Sequence, residues 1–259
     1  ATRLVPLGRA AGRQAECHLY RAPCGDVVLK LFRDAGSAAA AAAEFQALAR
    51  FHQAPSSASG VEAPEPLVLL PAAGAYVMRR AQGVPLDRLG RRPRLSAGDL
   101  ELLAARIATG LLLYEDAVGA PHGDFHPGNV LVEPATLRVT FIDPTFPNRA
   151  YAPIAAGARY GAVAADLGYW TFAVAARSPR LRLRRPWLPA RLVVLGRAVV
   201  AQAAVGVAPE AQAVFHADVL ATSRRYVEFL RASGGFRERL AAQAATWELG
   251  LLERQAATP

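Results

Sequence analysis

One lysine stands among thirty basic residues, and its position constrains what the fold has to bring together. Lys30 closes the apolar run Val27-Val28-Leu29, whereas HGDFHPGN (His122 to Asn129) and FID (Phe141 to Asp143) lie far downstream. Arginine fills every other basic position, so an ammonium here calls for a reason specific to its shape. A compact point charge fits between a carboxylate and two phosphate oxygens, where a wider, planar guanidinium would displace them. The chain therefore has to fold so that an early strand faces a late loop.

The late segments supply the rest of a site for phosphoryl transfer from ATP, chemistry that consists mostly of positioning and of neutralising charge on phosphates and metal. Asp124 is placed to accept or orient the proton of an attacking hydroxyl. Asn129, five residues on, offers a neutral oxygen to Mg2+, and Pro127-Gly128 permits the sharp turn between them. Asn129 starts one strand of an inferred hairpin and Asp143 ends the other, so both metal ligands fall at one edge of the sheet. Taken singly, an Asp before a turn and an Asn before a strand are ordinary turn and cap residues. Their joint spacing is specific. Glu44, on the only early helix and the sole acid between Ala38 and His52, is the carboxylate expected to hold Lys30; the alternative is a solvated helix residue.

Composition sets the class. With 259 residues, 53% of them hydrophobic, the chain fills either one large domain or two lobes. Its most apolar stretch, Leu192 to Pro209, carries Arg197 near the middle and reads as a buried helix, not a membrane span. The beginning of the sequence has no charged region followed by an apolar signal core, so a cytoplasmic protein without a membrane partner is expected. Cys17 and Cys24 are too few for structural zinc and read as buried free thiols. The net charge of +9 suits an acidic partner, although arginine-rich coding accounts for much of it, and the absence of any helix-turn-helix, zinc-finger or aromatic RNA-binding pattern argues against nucleic acid.

Pattern and punctuation predict strands over Arg3 to Leu7 and Glu16 to Arg21, a hairpin around Gly8 and Gly12, and a turn at Pro23 to Asp26 into a strand over Val27 to Phe32. Ser37 is expected to cap a helix over Ala38 to His52, followed by the loop Pro55 to Gly60 and strands over Pro66 to Leu70 and Ala75 to Arg79. These five strands and one helix make a small lobe over residues 1–80, with a hinge at Gln82 to Pro85. The larger lobe, residues 81–259, opens with a helix over Ala97 to Val118, capped by Ser96 and apolar at Leu100, Leu103, Ile107, Leu111 and Tyr114. Strands over Val130 to Glu133 and Val139 to Ile142 follow, then helices over Ala162 to Ala176, Ala190 to Val205, Glu210 to Ala232 and Phe236 to Gln255.

From the Lys30 strand through Glu44, HGDFHPGN and Asp143 to the Ala165-Asp166-Leu167-Gly168 helix, the sequence resembles the aminoglycoside phosphotransferase and choline kinase-like branch of the protein-kinase-like superfamily. His-Gly-Asp instead of His-Arg-Asp points to this branch. The resemblance implies an α+β, bilobal protein-kinase-like fold that uses ATP and Mg2+, with the roles given above for Lys30, Asp124, Asn129 and Asp143. It also implies that Asp166 braces the catalytic loop; the alternative is a helix-face acid. Met78 is expected beside adenine, or else simply in the core, with the backbones of Arg79 and Ala81 hydrogen-bonding the base. His122 is expected to make structural hydrogen bonds that shape the loop, and His126 to do the same or to make a minor contact near the phosphates. Two departures stand out: Gly8 and Gly12 form no GxGxxG pattern, and Pro144-Thr145 replaces the Phe-Gly that serves many protein kinases as a packing switch. Arg177 to Arg191 holds six arginines in fifteen residues and reads as either a solvated loop or a docking surface for an acidic peptide or protein. The acceptor expected is a hydroxyl-bearing small molecule, with Ser or Thr of a biosynthetic precursor peptide as the rival; a nucleotide-binding pseudokinase that scaffolds a partner is the non-enzymatic alternative.

Overall fold

Strand-forming residues with short turns between them build the first third of the chain into an antiparallel sheet. The computed structural model describes residues 5–11, 15–33, 36–54, 60–89, 95–144, 154, 157–184, 188–233, 239, 241–246 and 249–250. Strands β1 (Val5–Ala11), β2 (Ala15–Ala22) and β3 (Gly25–Phe32) are followed by helix α1 (Ser37–Gln53), and then by β4 (Val61–Glu62), β5 (Pro66–Leu70) and β6 (Ala75–Arg79). The sheet runs β1-β2-β3-β6-β5, with β3 at its centre. Gly8 lies within β1, paired to Leu19 beyond a register shift, and not in a turn as expected; Gly12 lies outside the described residues. Helix α1 starts from Gly36, in the left-handed region at φ 91°, and Ser37 makes no capping hydrogen bond. Cys17 is half-buried and Cys24 exposed, which corrects the expectation of two buried thiols.

A second sheet, β4-β9-β8-β7, gathers β7 (Val84–Pro85), β8 (Val130–Val132) and β9 (Val139–Phe141). The expected hinge thus ends in a strand fastened to the hairpin that carries the late motifs. Strand β4 joins the same hairpin in parallel, Val61 opposite Val139, which ties the segment after α1 to the larger lobe.

Helix α2 (Ala97–Val118) begins with a reciprocal capping box, Ser96 with Asp99, and stops at Gly119 in the left-handed region. It buries Leu103, Ile107, Leu111 and Tyr114, while Leu100 is half-buried. At Gly110 the helix meets the second sheet so closely that a Cβ would stand 2.8 Å from the Phe141 ring and 2.9 Å from Val61, so only glycine fits. Helices α3 (Gly161–Arg184), α4 (Leu188–Ala204) and α5 (Pro209–Ser233) complete the main core. Residues 241–246 are helical within the last helix expected from sequence. The arginine-rich segment is not a loop up to Arg184: Arg177, Arg180, Arg182 and Arg184 lie on the backbone of α3, and residues 185–187 lie outside the described residues. Pro179 removes one helical hydrogen bond, but the arginines and leucines around it are strong helix formers. Among the described residues no helix is long and apolar enough to cross a membrane.

Candidate active site

Strand β3 delivers Lys30 to the centre of the first sheet, opposite Cys17 of β2 and Tyr76 of β6. The lysine is 6% exposed and its Nζ donates to Glu44 Oε1 at 2.5 Å and to Asp143 Oδ1 at 3.1 Å. Glu44, 2% exposed, accepts a further hydrogen bond from the Tyr76 hydroxyl at 2.6 Å. Tyr76 went unremarked in the sequence, though its place in a strand bordering Lys30 was a usable signal. Burial by itself would lower the lysine's pKa, but the Asp143 and Glu44 carboxylates outweigh it and hold the pKa above the ordinary lysine value. Burial also pushes the Cys17 thiol up to about 11, so it is not a thiolate beside that ammonium.

The loop before β8 is built mainly by hydrogen bonds between side chains and backbone. Asp166, buried on α3, accepts from the His122 N–H at 2.7 Å and the Gly123 N–H at 3.0 Å, the bracing expected of it. Asn129 Nδ2 donates to the Asp124 carbonyl at 2.9 Å and to Asp124 Oδ2 at 3.2 Å, which leaves Asn129 Oδ1 for another partner. The Gly128 N–H donates to His126 Nδ1 at 2.9 Å, so the ring proton sits on Nε2, 3.7 Å from Asp124 Oδ2. Oδ2 is thus approached from both sides, and the Asp124 side chain is 35% exposed.

His122 makes a structural hydrogen bond that shapes the loop, as expected, but through its backbone N–H; among the described residues its ring nitrogens make no hydrogen bond of normal geometry, and the ring packs against Tyr114, Phe125 and Phe141 at 5.5 to 6.2 Å between centroids. The aromatic column extends from Phe51 of α1, 5.9 Å from Phe141, to Trp170 of α3, 5.3 Å from Phe125. It therefore joins the Glu44 helix to the loop.

Asp143 follows β9 with φ 56°, an uncommon conformation for a non-glycine residue that Asp and Asn tolerate best. The Ile142 N–H donates to the Asn129 carbonyl at 3.0 Å, so Asn129 and Asp143 do share one sheet edge. Among the described residues no three His, Cys, Asp or Glu side chains are grouped to hold a metal. The donors present are the Asp143 carboxylate, 34% exposed, and the Asn129 amide oxygen. That set fits Mg2+, which binds one or two protein oxygens and keeps waters and phosphates for the rest, and does not fit a softer transition metal.

Met78 is buried against Ala41, Leu48 and Tyr76 in the core of the first sheet. The Arg79 N–H is taken by the Glu65 carbonyl at 2.8 Å, so Arg79 can meet a base only through its carbonyl. For Ala81, no backbone hydrogen bond to another described residue is formed.

The two buried ionisable groups of the loop oppose one another in pH dependence. Burial pushes the Asp166 carboxyl up to about 7 against its two N–H donors, and burial lowers His122 to about 4 against Asp124 and Asp143. Between those values folded Asp166 holds a proton that the unfolded chain releases, so its contribution to stability falls as pH rises. Folded His122 lacks a proton that the unfolded chain binds below 6.5, so its contribution is lost as pH falls. The slopes cancel in the native protein. We expect His122→Leu to lose stability as pH rises from 4.5 to 6.5, and Asp166→Asn to gain it, each by about 1 kcal/mol per pH unit relative to wild type. Urea midpoints measured across that range check this; parallel profiles for all three proteins would refute it.

No protein-family model matches the chain, and no curated protein matches it. Among solved structures it is similar to the PknI kinase domain of Mycobacterium tuberculosis. A cysteine-to-alanine mutant of that domain superimposes with a TM-score of 0.47 at 20% identity, over 76% of this chain and 86% of that one. The unmutated domain gives 0.42 at 19% identity, over 95% of both. Both scores are low, and the fold class rests on what the chain itself displays: a five-stranded sheet with one helix, a Lys30 to Glu44 ion pair between them, and a larger helical part that braces the loop at residues 122–129 through Asp166. This is an α+β, bilobal protein-kinase-like fold.

Proposed function

We propose that the chain is an ATP- and Mg2+-dependent phosphotransferase of the aminoglycoside phosphotransferase and choline kinase-like type, moving the γ-phosphate to the hydroxyl of a small molecule, with its lobes dividing between residues 80 and 81. The observation that carries this reading is the meeting of five residues from separate segments of the chain: Lys30 Nζ spans Glu44 and Asp143, and Asn129, whose carbonyl accepts the Ile142 N–H, is tied to Asp124.

In this reading Glu44 and Tyr76 fix the ammonium of Lys30 where phosphate oxygens bind, and the carbonyl of Arg79 and the N–H of Ala81 receive the adenine edge. Asn129 Oδ1 and Asp143 hold Mg2+, which when bound neutralises charge on the phosphates. Asp124 Oδ1 accepts the proton of the acceptor hydroxyl, while Asn129 and His126 fix the orientation of its other oxygen. Phe51 and Phe141 lock α1 onto the second sheet, so Glu44 is in place without an activation step.

The test pairs thermal stability with ATP, in the presence and absence of Mg2+, with mass spectrometry of small-molecule alcohols and Ser/Thr peptides as acceptors. A Mg2+-dependent stabilisation together with phosphate on an alcohol is expected. Phosphate on peptides alone would move the acceptor to the rival class, stabilisation without transfer would favour a nucleotide-binding scaffold, and no stabilisation at all would sink the reading.

A further inference from the structure

We propose a second ligand site in the helical lobe, a cleft between α4 and α5 that takes a single-chain apolar acid such as a fatty acid. The cleft has a volume of about 770 Å³, within the range of small-molecule sites, and is floored by α3 through Trp170 and Val174. It lies apart from the Lys30, Asp124 and Asp143 cluster, none of which lines it.

The walls explain why the cleft stays open. Two helices packed only against each other interdigitate large side chains to crystal-like density. Here the facing positions are small, Ala198 and Ala201 on α4 and Ala213 and Ala217 on α5, so an apolar trough is left between them. Keeping such a surface wet costs about 25 cal/mol for each Å² that a ligand would cover. The floor adds an unsatisfied polar group: Trp170 is 1% exposed, and its Nε1 has no hydrogen-bond partner among the described residues. Gly196 makes room for that nitrogen, because a Cβ there would stand 2.7 Å from it. That nitrogen is closed off beneath Gly196, so the floor offers a bound ligand no hydrogen bond and selection falls to the apolar walls and the rim.

The lining also selects the chemistry. Besides Trp170, its polar side chains are Thr171, Arg197 and His216, and the Thr171 hydroxyl already donates to the Leu167 carbonyl at 2.9 Å. A sugar or nucleotide would bring many polar groups to walls that cannot pair them. Arg197 and His216 are both exposed, so charge sits at the rim while the interior is apolar. An alkyl chain with one carboxylate matches that division: chain along the alanines, head at Arg197.

Occupancy has a route to the first site. Trp170 packs on Phe125, the residue between Asp124 and His126, and Asp166 on the same helix holds the backbone of His122 and Gly123. The binding itself is independent of whether the chain transfers phosphate.

Isothermal titration of the whole chain with dodecanoate below its micelle-forming concentration tests the site. One saturable site is expected, weakened at least tenfold by Ala217→Trp, which fills the trough from an exposed position, and about tenfold by Arg197→Gln. Thermal melts establish that each variant is folded; should Ala217→Trp not fold, Ala213→Phe fills the same trough. Absence of saturable binding overturns the proposal. So does an affinity unchanged in the trough-filling variant, the result expected if the anion merely adsorbs to the basic surface. Unchanged affinity in Arg197→Gln overturns the assignment of the acid head.

Discussion

Under the proposed function, replacing Lys30 by arginine is expected to lower phosphotransfer turnover about as far as replacing it by alanine, roughly 10²-fold in each case, although arginine keeps the charge. The pocket explains this. Lys30 is 6% exposed and lies between two carboxylates at 2.5 and 3.1 Å, in a space shaped for one nitrogen. A guanidinium there pairs with Glu44 only by pushing toward Asp143 and the position proposed for the phosphates. Stability separates the two variants. Alanine leaves Glu44 buried without its cation, at a cost of about 3–5 kcal/mol, whereas arginine keeps the pair and most of the stability. Melting temperatures and single-turnover rates of the two proteins therefore diverge in the first measurement and agree in the second. An arginine variant within tenfold of wild-type turnover would remove Lys30 from any shape-specific contact with phosphate.

The residues that announced themselves in the sequence are those whose chemistry is rare in their surroundings or local in the chain. Lys30 is the lone lysine, Glu44 the lone acid of its helix, and Asp124 to Asn129 sits in one turn whose geometry follows from Pro127-Gly128. The structure brings all of these together. What stayed hidden depends on contacts between distant segments. Val61–Glu62 is too short to show a strand period, and its pairing with β9 is decided by the hairpin it meets. His126 gave no sign that its Nδ1 would be consumed by the Gly128 N–H, because that choice depends on the fold of the turn. His122 looked polar by residue type and is an aromatic packing piece by position. Pro179 invited a stop that the surrounding helix formers overrode.

Asp124 and Asp143 are expected to separate by role when each is changed to asparagine. Asn is the substitution that leaves the backbone undisturbed at both places, and above all at Asp143, whose φ of 56° it tolerates as aspartate does. Asp124→Asn keeps Asn129 Nδ2 within reach of a side-chain oxygen but removes the carboxylate oxygen proposed to take the acceptor's proton. Mg2+-ATP then binds with near wild-type affinity while transfer falls by roughly 10² to 10⁴, the range for a lost general base. Asp143→Asn acts earlier. It takes away the carboxylate proposed to hold the metal and also one of the two carboxylates that hold Lys30 protonated, so Mg2+-dependent nucleotide affinity itself is expected to be lost, whereas binding of metal-free ATP changes little. Calorimetry with ATP, with and without Mg2+, reads both variants on one scale. Equal Mg2+-ATP affinities for wild type and Asp143→Asn would place the metal elsewhere, and then the pairing of Asp143 with Lys30 would be only a structural ion pair.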